Sequence, residues 1–139
     1  MGTREPKEIM RRWFEEVWNQ RRDGTIDELL HTNATAFGLG EDGEVGVSTP
    51  ELFRRFQRKF CAMLPDLKVH IAHMVAEGDD VAMRLECEGH YAQAPADARP
   101  VRFGAMVFAR VRDGQIVDGW NLVDESAMAK GIAAARMPQ

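Results

Sequence analysis

The apolar residues of this chain change their period at Pro65, and that change does most to limit the folds open to it. Before Pro65 they recur at helical spacing; after it they alternate. A chain that reads as helices first and as successive hairpins afterwards makes an α+β arrangement. Helices then cover one face of a meandering antiparallel sheet.

Over residues 5–22, Ile9, Trp13 and Val17, with Met10, Phe14 and Trp18 on the neighbouring rows, form a wide apolar stripe. Arg11, Arg12, Glu15 and Glu16 lie outside it. Pro6 suits the first turn, and Asp23-Gly24 ends this helix. Thr25 is placed to cap a short second helix, "TIDELLHT". "ATAFGLGEDGEVGV" reads as a short strand and a Gly-rich loop. Ser48 or Thr49 caps a helix over residues 50–63, whose inner face is Leu52, Phe53, Phe56 and Phe60. "LKVHIAHMVAEGDDVAMRLECEGHYA" is a hairpin turned at Gly78-Asp79-Asp80, and "PVRFGAMVFARVRDGQIVDGWNLVD" a second turned at Asp113-Gly114. The prolines of the intervening "QAPADAR" exclude regular pairing, and the segment 93–100 is a candidate lid. "ESAMAKGIAAAR" closes the pattern as a helix.

At 139 residues, one domain over 1–139 with one core is expected. The net charge of −4 argues against general affinity for nucleic acid or an anionic membrane. The basic cluster "FRRFQRKF" reads as the solvated side of an amphipathic helix, through Arg54, Arg55, Arg58 and Lys59. No apolar run approaches the ~18 residues of a membrane span. The start lacks a signal peptide's apolar core, so a cytoplasmic protein is expected. Met1-Gly2 hints at myristoylation, but Pro6 stands where Ser or Thr belongs. Cys61 and Cys87 lack CxxC spacing and read as reduced core thiols.

His70 and His73, three apart on a strand, fall on opposite faces and make poor joint metal ligands. "GEDGEVG" lacks the spacing of a calcium loop. No metal and no cofactor is expected. Both faces of the long strands carry apolar residues. One covers the helices, and the other is expected to meet a second copy, giving a homodimer through the sheet.

"WFEEVWNQ", "LPDLKV", "AEGDDVAMR", "RVRDGQIVDGW" and the aspartate ending "NLVD" together resemble the SnoaL-like polyketide cyclases. That group sits in the nuclear transport factor 2-like superfamily, with ketosteroid isomerase and limonene epoxide hydrolase. The resemblance spans residues 13–132 and implies a cone: a curved antiparallel sheet wrapped around N-terminal helices, with an internal pocket between them.

Alternation in the last strand puts Val117, Gly119, Asn121 and Val123 on one face and Asp118, Trp120 and Leu122 on the other. In SnoaL-like cyclases the residue after this tryptophan is characteristically the catalytic aspartate, facing the pocket. Limonene epoxide hydrolase places an aspartate at the matching point. Here the residue is Asn121. The cyclase step is an intramolecular aldol, in which a base removes a proton next to one carbonyl and the enolate attacks another. An amide cannot take that proton, though it can donate a hydrogen bond to an enolate or carbonyl oxygen.

The resemblance also puts Val81, Met83, Leu85 and Cys87, with Phe103, Ala105 and Val107 of the next strand, on the pocket side. Val107 stands where the cyclases carry a histidine. Leu85 and Cys87 stand where the epoxide hydrolase's arginine and aspartate fall, and Phe14 where tyrosine is common. Trp13, Val17, Phe37, Phe56, Phe60 and Val123 complete the expected ligand-binding set. His90, beside Tyr91 at a strand end, is the candidate acid or base; Asp124 rims the pocket or pairs with a basic neighbour.

The implied partner is a hydrophobic, aromatic-polyketide-like small molecule. Cyclase or isomerase-type chemistry would use Asn121 as the orienting group, with a base from substrate, water or His90. The alternatives are a non-catalytic ligand binder, a polyketide hydroxylation-type activity, and a dimeric interaction module with a residual cavity.

Overall fold

A computed structural model describes residues 5–38 and 47–137. The loop "GEDGEVG", Met1-Gly2 and the side chain of Ser48 lie outside the described residues.

Helix α1 (Pro6–Arg12) runs without a break into a π-helical segment, Trp13–Asn19. The reason is in the spacing. Ile9, Trp13 and Val17, and Met10, Phe14 and Trp18, repeat strictly every fourth residue. At 3.6 residues per turn that repeat drifts about 40° around the axis at each step. The wider π turn, bonded i→i+5, cancels the drift and keeps all six side chains buried. Gln20 N accordingly donates to Glu15 O at 2.9 Å. The single regular helix expected over 5–22 is therefore corrected.

Helix α2 (Asp23–Leu29) begins before Thr25, which is not its cap. The buried Thr25 hydroxyl instead donates to Glu16 Oε1 at 3.0 Å. Strand β1 (Leu30–Phe37) follows directly and pairs with the two-residue β2 (Val47–Ser48). Helix α3 (Thr49–Met63) opens with Thr49 Oγ1 accepting from Leu52 N at 3.4 Å.

Strands β3 (Lys68–Glu77) and β4 (Asp80–Gly89) form one hairpin, β5 (Val101–Arg112) and β6 (Gln115–Val123) the other. Their turns use positive φ at Gly78 (59°) and at Asp113-Gly114 (51° and 77°). The sheet order is β2-β1-β6-β5-β4-β3. It departs from the expected all-antiparallel sheet in one place, because β1 runs parallel to β6. These strands are far apart in sequence, so no turn chemistry announces their direction.

Alternation sorts the two faces. In β4, Val81, Met83, Leu85 and Cys87 are buried while Arg84, Glu86 and Glu88 are exposed. In β5 the odd-numbered residues from Val101 to Val111 are buried. Asn19 covers the open edge of β3, accepting from Val69 N at 2.7 Å and donating to Val69 O at 2.9 Å. Helix α4 (Glu125–Arg136) is capped by Asp124, which accepts from Ala127 N at 3.0 Å. Capping is thus what Asp124 does here, in place of rimming the pocket or pairing with a base.

Candidate functional site

Between the inner sheet face and the helices lies a cavity of about 100 Å³. Trp13 and Phe14 of the π segment and Phe56 and Phe60 of α3 form its helical wall. Leu85 and Cys87 of β4 and Phe103, Ala105 and Val107 of β5 form its floor. Asn121 and Val123 of β6 close it on the remaining side. Eleven of the residues expected at the site therefore meet around one space.

The helical wall is a chain of rings. Trp18 lies 5.8 Å from Phe53, 6.3 Å from Phe56 and 6.0 Å from Phe60, and Phe60 continues to Phe103 at 6.1 Å. Such edge-on and tilted contacts fix ring orientation as well as burying area. On its outer side α3 is tied to α2, where Arg54 contacts Asp23 at 2.7 Å and Asp27 at 2.6 Å.

Val81 and Met83, expected on the pocket side, are buried but do not line the cavity, and three members of the expected ligand-binding and catalytic set lie elsewhere. Val17 is fully buried against other core side chains, and its carbonyl accepts from Gln57 Nε2 at 2.7 Å. Phe37 turns to the outer face, where its ring stacks on Trp120 at 5.9 Å. A shift in the β1–β6 register leaves Ala34 and Ala36 as the inward residues. His90 is exposed and held by Asp66, its N–H to Oδ1 at 2.6 Å and its Nδ1 to Oδ2 at 2.7 Å. These bonds to His90 outweigh the effect of burial and hold the Asp66 carboxyl below its usual range. His90 is therefore not placed to act on anything in the cavity.

Bulges account for the remaining differences. In β6, Val111 pairs with Ile116 while Arg110 pairs with Asp118, so Val117 is skipped and Ile116 lines the cavity in its stead. In β3 the shift between Ile71 and His73 pairs His70 with Glu86 and His73 with Arg84. Both histidines thus share the outer face, contrary to the opposite faces that unbroken alternation predicts. Among the described residues no group of three or more His, Cys, Asp or Glu is placed to hold a metal ion. No residue of 93–100 lines the cavity. The lining residues that sequence reasoning missed include Trp18, Phe53, Thr35, Ala36 and Ala109. Ala109 was available from its shared parity with Val107, and Trp18 and Phe53 from their apolar helix faces.

The electrostatics of the site are sparse. None of the described lining residues carries an ionised side chain. Burial pushes the Cys87 thiol up to about 12, which leaves it protonated and unreactive at neutral pH. The polar side chains among the described lining residues are Thr35 and Asn121, and the Asn121 Nδ2 donates to the Phe37 carbonyl at 3.0 Å. The site can therefore exclude water, grip an apolar body and offer it a neutral amide. Among the described lining residues there is no carboxylate or imidazole to move a proton.

Comparison with known proteins follows this geometry. The family model for SnoaL-like polyketide cyclase matches residues 8–132. Among solved structures, IdmH of Streptomyces antibioticus, a candidate polyketide cyclase, is similar over 93% of this chain and 99% of its own, with 25% identity and a TM-score of 0.79. A protein of Catenulispora acidiphila with a ketosteroid isomerase-like fold, solved with trimethylamine, is similar over 94% of each chain, with 20% identity and a TM-score of 0.75. AclR of Streptomyces galilaeus, a candidate hydroxylase, is similar over 99% of this chain and 100% of its own, with 18% identity and a TM-score of 0.74. No curated protein matches the chain. The architecture is the nuclear transport factor 2-like, ketosteroid isomerase-like α+β fold.

Proposed function

The chain belongs to the SnoaL-like polyketide cyclase family, and on that premise we propose that its cavity receives a hydrophobic, aromatic-polyketide-like small molecule. One observation carries the reading: a ring-walled, mostly apolar cavity with the Asn121 carboxamide in its lining. Small-molecule sites have this make-up, a mostly apolar lining with few polar groups that fix orientation.

In the cyclase or isomerase-type reaction, Asn121 orients the substrate and confinement brings its reacting carbons together. The proton leaving the carbon next to the carbonyl goes to water or to a basic oxygen of the substrate, since His90 is engaged with Asp66. A protein general base contributes about 10²–10⁴-fold, so turnover without one is slow. The second reading, a non-catalytic binder, is favoured by the same shortage of ionisable groups around the cavity.

At about 100 Å³ the cavity is smaller than an engineered one of about 150 Å³ that takes a benzene ring. A polycyclic ligand therefore needs the helical wall to move outward. Helix α3 is the part able to do so, because Phe53 is its one buried residue. The outer sheet face, with Met106, Phe108, Trp120 and Leu122 exposed, is the surface through which two copies pair.

Incubation with a tricyclic polyketide methyl ester, read by chromatography and mass spectrometry alongside a binding titration, tests both readings. A product of unchanged mass and new retention supports ring closure. Mass gained as oxygen replaces cyclisation with hydroxylation. Substrate bound but unchanged selects the binder, and substrate neither bound nor changed overturns the polyketide reading.

A further inference from the structure

The Asn121 amide is held in one orientation, and the orientation determines what a ligand meets. Its Nδ2 donates to the Phe37 carbonyl at 3.0 Å. Turning the amide over would set Oδ1 against that carbonyl, two acceptors face to face, so the assignment of N and O follows from chemistry. The carbonyl cannot retreat. The chain at Gly38, with φ of +80°, lies so close to β6 that an added Cβ would stand 1.7 Å from the Asn121 backbone oxygen. One amide hydrogen is therefore spent on the protein. Among the described residues Oδ1 accepts no hydrogen bond, and it is not sealed from open space.

We propose that Asn121 selects ligands by the donor they carry: Oδ1 accepts from a phenolic or enolic hydroxyl on a ring lodged in the cavity. This rests on reading the cavity as a small-molecule site. A carbonyl or enolate oxygen has only the second Nδ2 hydrogen to meet, on a nitrogen already bonded to the Phe37 carbonyl, whereas a hydroxyl meets the unengaged Oδ1. Among the described lining residues Thr35 is the other one with a polar side chain, so its hydroxyl is the alternative partner that substitution of Asn121 separates from Oδ1.

The test is calorimetric titration of the full chain with naphthalene, 2-naphthol and 2-methoxynaphthalene, repeated on Asn121→Leu. These probes share a ring body and differ in carrying no polar atom, a donor, or an acceptor alone. The expected result is 2-naphthol bound roughly five- to tenfold more tightly than 2-methoxynaphthalene, the scale of one neutral hydrogen bond. In Asn121→Leu that preference collapses. Should the variant fail to fold, the ranking on the unaltered protein decides alone. Equal binding of naphthol and methoxynaphthalene overturns the donor selection while leaving the cavity as a binding site. Failure of all three to bind overturns both, and a preference that survives in folded Asn121→Leu assigns the selection to another group.

Discussion

Asn121 differs from aspartate by one functional group, and its hydrogen bond to the Phe37 carbonyl says what that group does for the fold. An aspartate here can donate to the carbonyl only when protonated, so its folded pKa is raised above its ordinary value near 3.9. The sign follows. Asn121→Asp is nearest the parent in stability below that ordinary value, and it loses stability as pH rises toward the raised one. At neutral pH the deficit should be about 1–3 kcal/mol. Urea unfolding at about pH 4 and about pH 8 checks it, and equal deficits at both would sink the assignment. The same raised pKa suits a base, so Asn121→Asp should also increase turnover of any substrate the protein cyclises, by about 10²-fold. A folded variant that binds the substrate with no change in rate counts against that role. Strand parity sufficed to aim Asn121 inward, because β5 and β6 pair in regular register from Ala109 to Ala105. It failed at Val117, where one skipped residue reverses the face. It could not foresee that Asp66 draws His90 away, since that contact joins positions 24 apart.

At the level of elements, the π segment is held to α2 by charge. Arg12 Nε meets Glu16 Oε2 at 2.6 Å, Arg12 also contacts Glu28, and Thr25 donates to Glu16. The bond from Arg12, aided by Thr25 and opposed by burial, holds the Glu16 carboxyl below its ordinary 4.5. Its stabilising effect is therefore complete above that value and fades as pH falls through the lower, folded one. Glu16→Gln should cost about 1–2 kcal/mol at neutral pH, with the deficit vanishing in acid. Urea midpoints taken down to about pH 3 test this, and a deficit that ignores pH would rule out the charge account. Helix α3 carries a second expectation. If it is the wall that yields, saturating 2-naphthol should slow amide exchange across Thr49–Met63 more than across the strands. Protection confined to β5 and β6 would show that α3 does not gate the cavity. The helices and hairpins were legible in the period of their apolar residues. The strict four-residue repeat was equally visible in "IMRRWFEEVW", yet its meaning depends on the sheet that the helix must cover. The parallel β1–β6 pairing was not legible at all, because no local signal records the direction of a non-consecutive neighbour.

For the whole molecule, the proposed pairing of two copies rests on how the outer sheet face is divided. Toward β4 it carries matched charges: Arg84 with Glu86, and Glu88 with Arg102 at the start of β5, each at 3.3 Å. Where Met106 and Phe108 of β5 meet Trp120 and Leu122 of β6 it is apolar. Met106 lies across from Leu122 and Phe108 across from Trp120, with exposures of 53%, 73%, 38% and 39%. Phe37 stacks against the same tryptophan and widens the patch. A second copy related by a two-fold axis presents the same patch, and apolar meets apolar while the matched charges stay at the rim. The unaltered chain should therefore sediment as a dimer at micromolar concentration. Leu122→Glu is the sharper test because Leu122 is the most exposed of the group and supports nothing inside the monomer. In a two-fold interface each substitution enters twice. If one buried, unpaired carboxylate costs about 2 kcal/mol, the pair costs about 4 kcal/mol, or roughly 10³-fold in the dissociation constant. That moves a micromolar dimer into the millimolar range and leaves a folded monomer with an unchanged circular dichroism spectrum. Light scattering that finds the unaltered chain monomeric, or Leu122→Glu still dimeric, would move the pairing surface elsewhere. Because the patch backs onto the strands that carry Asn121 and Val107 on their inner side, a folded Leu122→Glu monomer also shows whether the cavity keeps its shape without a partner. Unchanged 2-naphthol affinity in that monomer would make the site a property of one chain, and lost affinity would make pairing part of the site.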